Sequence, residues 1–579
     1  MTAPAGAPPA AVPPGTATGP ETSRGVAAST VVRRRLVGLA IVVVPVGWAL
    51  ARAGTTGGDL VNTGGLRQLG RLLASAGHPD LSGAFLVRVA DAAVVTVVFA
   101  ALGTAGALVV GLLGGVVLSE RAWSRRPPLA VRLLRGVLRG ALVAVRSVHE
   151  IVWALLLLSV LGLDPLVAVL AIALPFGAQT AKVFGETFDN VPSGALLGLR
   201  HSGARPVSAL AYGLLPAAAP VLTSYSFYRF ECAIRSAVVL GVVGVGGLGQ
   251  ELVVSLQSRN WDEVWTLIGA VVLLSAVVDA WSGLVRAESS TATCAEWSAR
   301  GQRSGRWSRL ARVGLVALVP ALGFAWLASG VSLAGLVSPR SRELGLRLAT
   351  ELWPPALPAG GGAAVWTATL DTLAMALLAM VVAVLVTAVV GPWATRPRRR
   401  SRAGARAGRG VAGWQVATRW TGWGVARMLL LVLRSVPAPV WAVLALLALF
   451  PGILPGALAL GLYTGGILGR LVAEAWESLD RGPLDALVAA GTGRRLAALA
   501  AVGPASVHHL TTYTLYRFEI CVRDTAVVGV VGAAGLGRLL SEQLSAFRFP
   551  VVTTVLAAFL LVSGASEIAG RRLRAALRA

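Results

Sequence analysis

Residues 228–249 read Tyr-Arg-Phe-Glu-Cys-Ala-Ile-Arg-Ser-Ala-Val-Val-Leu-Gly-Val-Val-Gly-Val-Gly-Gly-Leu-Gly. Residues 516–537 read Tyr-Arg-Phe-Glu-Ile-Cys-Val-Arg-Asp-Thr-Ala-Val-Val-Gly-Val-Val-Gly-Ala-Ala-Gly-Leu-Gly. The offset is 288 residues, and 14 of the 26 positions in windows 225–250 and 513–538 are identical, far above chance. A charged cluster inside an apolar run is expensive in lipid, and one written twice demands a reason.

The surrounding composition sets the solvent. The chain has 579 residues, 55% of them hydrophobic and 14% charged, with mean hydropathy +0.72. Apolar runs of the length that crosses a bilayer as a helix recur along it. They lack the alternation of a membrane β-barrel, so the expected fold is an all-α polytopic membrane protein. In the first half the runs are Leu36–Leu50, Asp91–Leu118, Leu142–Leu161, Leu166–Phe184, one within 207–249, and Val264–Trp281. The second half repeats the order with Val313–Ala328, Leu370–Val390, Met428–Phe450, Ile453–Val472, the second charged stretch, and Val551–Ile568. The result is a tandem parallel duplication of a six-helix unit, about 12 crossings in all.

The boundaries follow from composition. Residues 1–30 are Ala-, Pro-, Thr- and Gly-rich and read as a disordered tail. Residues 31–286 form the first unit, 287–312 a basic linker, 313–574 the second unit and 575–579 a C-terminal tail. Ala49-Leu50-Ala51 resembles a signal-peptide cleavage site. An uncleaved helix is the better reading, because Val313–Ala328 matches it far from the N-terminus. Basic segments at 119–140, 284–312, 396–427 and 570–579 fall on one side if each half crosses an even number of times. That places both termini in the cytoplasm of a multi-pass plasma-membrane protein, with both halves facing the same way. Residues 207–249 are too long for one crossing and too short for two, so a full helix followed by a glycine-loosened part-helix is expected.

Several chemistries are excluded. The net charge of +25 comes from arginines between apolar runs, a pattern of membrane orientation and not of nucleic-acid binding. The three cysteines and five histidines have no metal-ligand spacing, so neither a metal nor another cofactor is expected. The single lysine, Lys182, follows Ala-Gln-Thr-Ala and precedes Val, so no phosphate-binding loop for ATP is present. Arg146-Ser147 and Arg434-Ser435 are read as opening matching helices, as interfacial anchors or as contacts to the docking loop.

The polar segment before each charged stretch is also duplicated. Glu186, Gly203 and Pro216 shifted by 288 give Glu474, Gly491 and Pro504. Pro192 and Pro483 lie in the same segments. A glycine in a polar turn allows a compact helical elbow. It reads either as an ordinary interhelical loop or as a docking knob for a cytoplasmic motor.

Taken together, the polar loop, Tyr-Arg-Phe-Glu, the following arginine and Val-Gly-x-x-Gly-Leu-Gly resemble the permease subunits of ATP-binding-cassette importers. The phosphonate-importer permeases are the most similar. The resemblance covers residues 146–286 and 434–574. That family carries Glu-Ala-Ala-x-x-x-Gly in its coupling loop. Here Asp485-Ala486-Leu487-Val488-Ala489-Ala490-Gly491 is a near match, while the first half keeps only Gly203. The resemblance implies a fused permease pair that is not itself an enzyme. It implies a separate cytoplasmic ATPase dimer, an extracytoplasmic solute-binding protein and import of a small phosphorus oxyanion, most of all phosphonate, by alternating access. It also places Glu186, Pro192, Gly203, Glu474, Asp485, Ala486 and Gly491 in the ATPase-coupling loops.

The charges admit two readings. Glu231 and Arg235, like Glu519 and Arg523, stand at i, i+4 and can pair on one helix face. They either hold packing or, with Arg229 and Arg517, line a translocation path with a surplus of one arginine per half. Gly241, Gly244, Gly247 and Gly249, with Gly529, Gly532, Gly535 and Gly537, serve close helix packing or a gate. The competing functions are an ion-coupled carrier, which would need an acid or histidine relay in the membrane, and a non-transporting membrane scaffold.

Overall fold

The computed structural model describes residues 40, 43–54, 60–121, 128–289, 322–323, 325–327, 330–332, 334–397, 413–480 and 482–578. The expected tail 1–30, residues 290–312 of the linker, Cys294, residues 36–39 and 41–42 of the run opening at Leu36, and most of the run opening at Val313 lie outside the described residues. Residues 49–579 form one compact unit.

Among the described residues every regular element is helical, apart from an isolated bridge between Val61 and Leu449. Seven helices are long and apolar enough to cross a membrane, or nine if each of two bent pairs is one span. The first half contributes Gly83–Leu118, Pro165–Asn190, Pro206–Gly241 and Trp261–Gly283, with the bent pair Leu129–Ser147 and Glu150–Leu161. The second contributes Gly361–Ala394, Ile453–Ser478 and Phe549–Ala575, with the bent pair Ala417–Ser435 and Ala438–Ala448. The helix Arg494–Val530 stands in the place matching Pro206–Gly241. The last helix continues to Arg578.

The bent pairs correct the expectation of straight helices over Leu142–Leu161 and Met428–Phe450. The chain turns by 96° at one break and 92° at the other. At the first, Val148 and His149 are extended, and the His149 side chain caps the new helix by accepting from the Ile151 N–H at 3.3 Å. At the second, Pro437 occupies the cap, and a proline disfavours helical backbone in the residue before it. Arg146-Ser147 and Arg434-Ser435 therefore close helices; they do not open them.

Small residues let the longest helices approach closely. A Cβ added at Gly177 would lie 2.8 Å from the Val110 Cβ, and one at Gly465 would lie 2.9 Å from the Val386 Cβ. Val110 and Val386 are 276 residues apart, whereas Gly177 and Gly465 are 288 apart. The second half therefore carries about 12 extra residues between these helices, around its basic segment.

The two halves exchange elements. Ala49 and Ala53 pack into the core of the second half, beside Ala374, Met375 and Leu460. Arg52 donates to Asp371 Oδ1 at 2.7 Å. In return Leu322, Ala325 and Trp326 pack into the core of the first half, beside Phe99, Ile172 and Ile234. The amphipathic helix Thr63–Ser75 likewise packs on Ala438–Ala448, and Pro339–Glu351 packs on Glu150–Leu161.

Candidate functional site

The charged stretches face each other across a cavity of about 850 Å³, lined by both halves. Ten arginine and lysine side chains but only six carboxylates line it, so its walls are net positive. Arg229, Glu231, Arg235, Arg517, Glu519 and Arg523 all contribute. The structure thus brings together every residue that the sequence placed on the path.

Within this cluster most charges are paired. Arg235 bonds Glu231 one turn away, and Arg523 bonds Glu519 at 3.2 Å. Other pairs cross between halves. Arg434, 6% exposed, bonds Asp279 at 2.8 Å and Glu231 at 3.3 Å. Arg470 also bonds Asp279, and Glu474 at 2.7 Å. The matching positions repeat the exchange, with Arg146 bonding Glu567 at 3.0 Å and Lys182 lying 4.0 Å from it. Arg146 and Arg434 are thus interior cross-half residues and not interfacial anchors. Each is brought inward because its helix ends in a sharp break.

Arg229 and Arg517 differ. They are 9% and 7% exposed, and among the described residues neither makes a hydrogen bond or ion pair. Arg229 instead stacks 3.7 Å over the Phe176 ring. A buried guanidinium without a counter-ion is costly.

One corner of the cavity lacks two-fold symmetry. His149 Nδ1 lies 3.4 Å from Glu150 Oε2, and its Nε2 lies 3.5 Å from Asp524 Oδ1. Ser236 donates to Glu150 Oε1 at 2.6 Å. The residues matching His149 and Glu150 are Pro437 and Ala438, so the second half has no such corner.

The glycine strings lie beyond the charged cluster. The Pro206–Gly241 helix ends at Gly241, and a turn containing Gly244 and Gly247 leads into Leu248–Gln257. A Cβ at Gly241 would lie 2.7 Å from the Gly249 Cα, and one at Gly529 would lie 2.5 Å from the Gly537 Cα. Backbones meet there without room for a side chain. Each turn is pinned from a neighbouring helix. The Leu248 N–H donates to Thr96 Oγ1 and the Leu536 N–H to Thr372 Oγ1, both at 2.9 Å. Gly247 and Gly535 adopt φ of 79° and 91°, and Gly532 a φ of 106°.

The duplicated polar segments form the expected elbows, the helices Gly194–His201 and Gly482–Ala489. The second holds Asp485 and Ala486. Gly203 and Gly491 follow them with φ of 83° and 89°. Pro192 precedes the first elbow. Glu186 and Glu474 lie elsewhere, near the ends of the long helices Pro165–Asn190 and Ile453–Ser478, and Glu474 reaches the cavity.

Sequence reasoning missed Asp279, Glu567, Arg470, Phe176 and the His149 corner. Asp279 with Glu567, and Lys182 with Arg470, stand 288 residues apart inside apolar helices. Charge preserved at that offset was the available signal.

Comparison with known proteins reproduces the same two-fold pattern. Residues 129–288 and 408–578 each match the model of a family described as binding-protein-dependent transport system inner membrane component. The phosphate-import permease protein PhnE of Mycolicibacterium smegmatis is 26% identical over 491 residues, covering 83% of this chain and 85% of that protein. The phosphite transport system permease protein PtxC of Stutzerimonas stutzeri is 31% identical over 224 residues, 38% of this chain and 78% of that protein. A protein of Escherichia coli K12 whose name places it in a cryptic phosphonate transport system is 35% identical over 117 residues, 20% of this chain and 96% of that protein. No solved structure matches significantly.

Proposed function

We propose a function from a premise that the two matched segments establish: this chain belongs to the family of binding-protein-dependent transport system inner membrane components. It is a multi-span transporter permease subunit of the inner membrane, built as two permease units in one polypeptide, and not an enzyme.

Its cargo is a small phosphorus oxyanion, phosphonate first among them. The observation that carries this reading is the pair Arg229 and Arg517, buried beside the inter-half cavity with no carboxylate partner among the described residues. A tetrahedral oxyanion suits the planar guanidinium fork, and the surplus of cations on the walls draws it in. The names of the relatives, which specify phosphate, phosphite and phosphonate systems, support the same chemistry.

The motor is a separate cytoplasmic ATPase dimer, since the sole lysine is outside any nucleotide loop. Its closure pushes the elbows Gly194–His201 and Gly482–Ala489, and the halves rock about the cavity. A solute-binding protein delivers cargo from outside, and both chain termini face the cytoplasm. The glycine turns act as close-packed joints.

A second reading has one observation in its favour. His149 between Glu150 and Asp524 is the kind of relay that an ion-coupled carrier needs. Uptake of labelled phosphate, phosphite and methylphosphonate by vesicles holding the chain with its ATPase and binding protein separates the two. The ATP-driven reading requires uptake that depends on ATP and survives collapse of the proton gradient. Uptake driven by a proton gradient without ATP would overturn it.

A further inference from the structure

The two halves do not present equal arginines to the cavity. Arg229 lies 3.7 Å over the ring of Phe176 and 6.0 Å from that of Tyr225. Phe176, Tyr225 and Arg229 all line the cavity. An aromatic ring occupies the face of a guanidinium and leaves its N–H edge available, which fixes the plane of the fork before a ligand arrives. Of the Arg229 nitrogens only Nε is enclosed without a partner.

Among the described residues Arg517 has no such shelf. The residue matching Phe176 is Thr464, fully buried, with its hydroxyl unpartnered. Arg517 has both Nε and Nη2 enclosed without a partner, so less of its edge is open to the cavity. The sequence repeat Tyr-Arg-Phe-Glu is identical in the two halves. The main difference, Phe176 against Thr464, lies on the helix packed against it.

We infer that Phe176 is a positioning residue that makes Arg229 the primary contact for the oxyanion. The oxyanion then binds off the pseudo-two-fold axis, with Arg517 a secondary, largely enclosed charge. This rests on the oxyanion reading above and assigns unequal roles within it. Two genes encoding identical subunits could not build such a site, whereas a fused chain can.

The test is equilibrium binding of inorganic phosphate and of methylphosphonate to the full chain in lipid nanodiscs. Lysine keeps the charge of arginine but loses the fork. Arg229→Lys is therefore expected to weaken binding about tenfold or more, and Arg517→Lys less than about threefold. Phe176→Leu should weaken binding about fivefold, and Phe176→Tyr should restore it, since both rings stack and leucine does not. A merely space-filling Phe176 would show no such rescue. Equal losses for the two lysine variants, or unchanged binding in Phe176→Leu, overturn the inference. The lysine contrast leaves Phe176 in place and decides the matter even if Phe176→Leu fails to fold. Absence of saturable binding by the wild type also overturns it, while the vesicle uptake experiment judges the transport function separately.

Discussion

Arg434 Nη2 lies 2.8 Å from Asp279 Oδ2, and this contact ties the second half of the chain to the first. Its two-fold image is Arg146 with Glu567. The contacts are unequal. Asp279 also holds Arg470, whereas among the described residues Glu567 has only the half-exposed Lys182 as a distant second partner.

Asp279→Ala would remove the acid shared by two cations, leaving Arg434 with Glu231 alone and Arg470 with Glu474 alone. Removing one member of a buried pair costs about 3 kcal/mol or more. The detergent-solubilised chain should melt well below the wild type, and Glu567→Ala should lower the transition less. A larger drop for Glu567→Ala would contradict the ranking.

Arg229→Ala and Arg517→Ala should each reduce anion uptake more than they reduce the amount of folded chain in the membrane, with the first more severe. Loss of one buried charge-assisted contact corresponds to about 2 kcal/mol, or some thirtyfold. Immunoblotting alongside labelled phosphonate uptake measures both quantities. Proportional losses would reduce these arginines to packing elements.

Thr96→Val and Thr372→Val keep the side-chain shape but remove the acceptor for the Leu248 and Leu536 N–H groups. An enclosed N–H left unpaired costs about 1–3 kcal/mol. Each variant should lower the melting temperature, and the double variant should show near-additive loss because Leu248 and Leu536 lie in different cores. A double variant that melts like the wild type would show that the glycine turns hold without these pins.

Gly203→Val and Gly491→Val force a branched residue into backbone at φ 83° and 89°. The elbows would be displaced without touching the cavity. The expected outcome is normal phosphate binding with transport and stimulation of the partner ATPase lost. Full coupling in Gly491→Val would remove the second elbow from the mechanism.

Much of this architecture was legible beforehand, and the reasons differ by element. The duplication was visible because Glu231 with Arg235 and Glu519 with Arg523 must each be retained on one helix face if the charges are to be tolerated in lipid. The elbows were visible because Gly203 and Gly491 mark turns that only glycine adopts readily. The helix break at Val148–His149 was not, since both residues are compatible with helix and the cap forms only once Ile151 is in place. Pro437 offered a cue for its twin. The exchange of leading helices was hidden for a deeper reason. An apolar face such as that of Ala49 and Ala53 specifies burial, and nothing in it says which of two similar cores will receive it.

The seat of Ala49 and Ala53 lies among residues made several hundred positions later. During biosynthesis the opening helix therefore leaves the ribosome long before its resting place exists. The insertion machinery has to let it wait in lipid, free to slide sideways, until the C-terminal portion arrives. Joining the units in one polypeptide shortens that search and fixes their ratio at one to one, so neither can accumulate as an orphan.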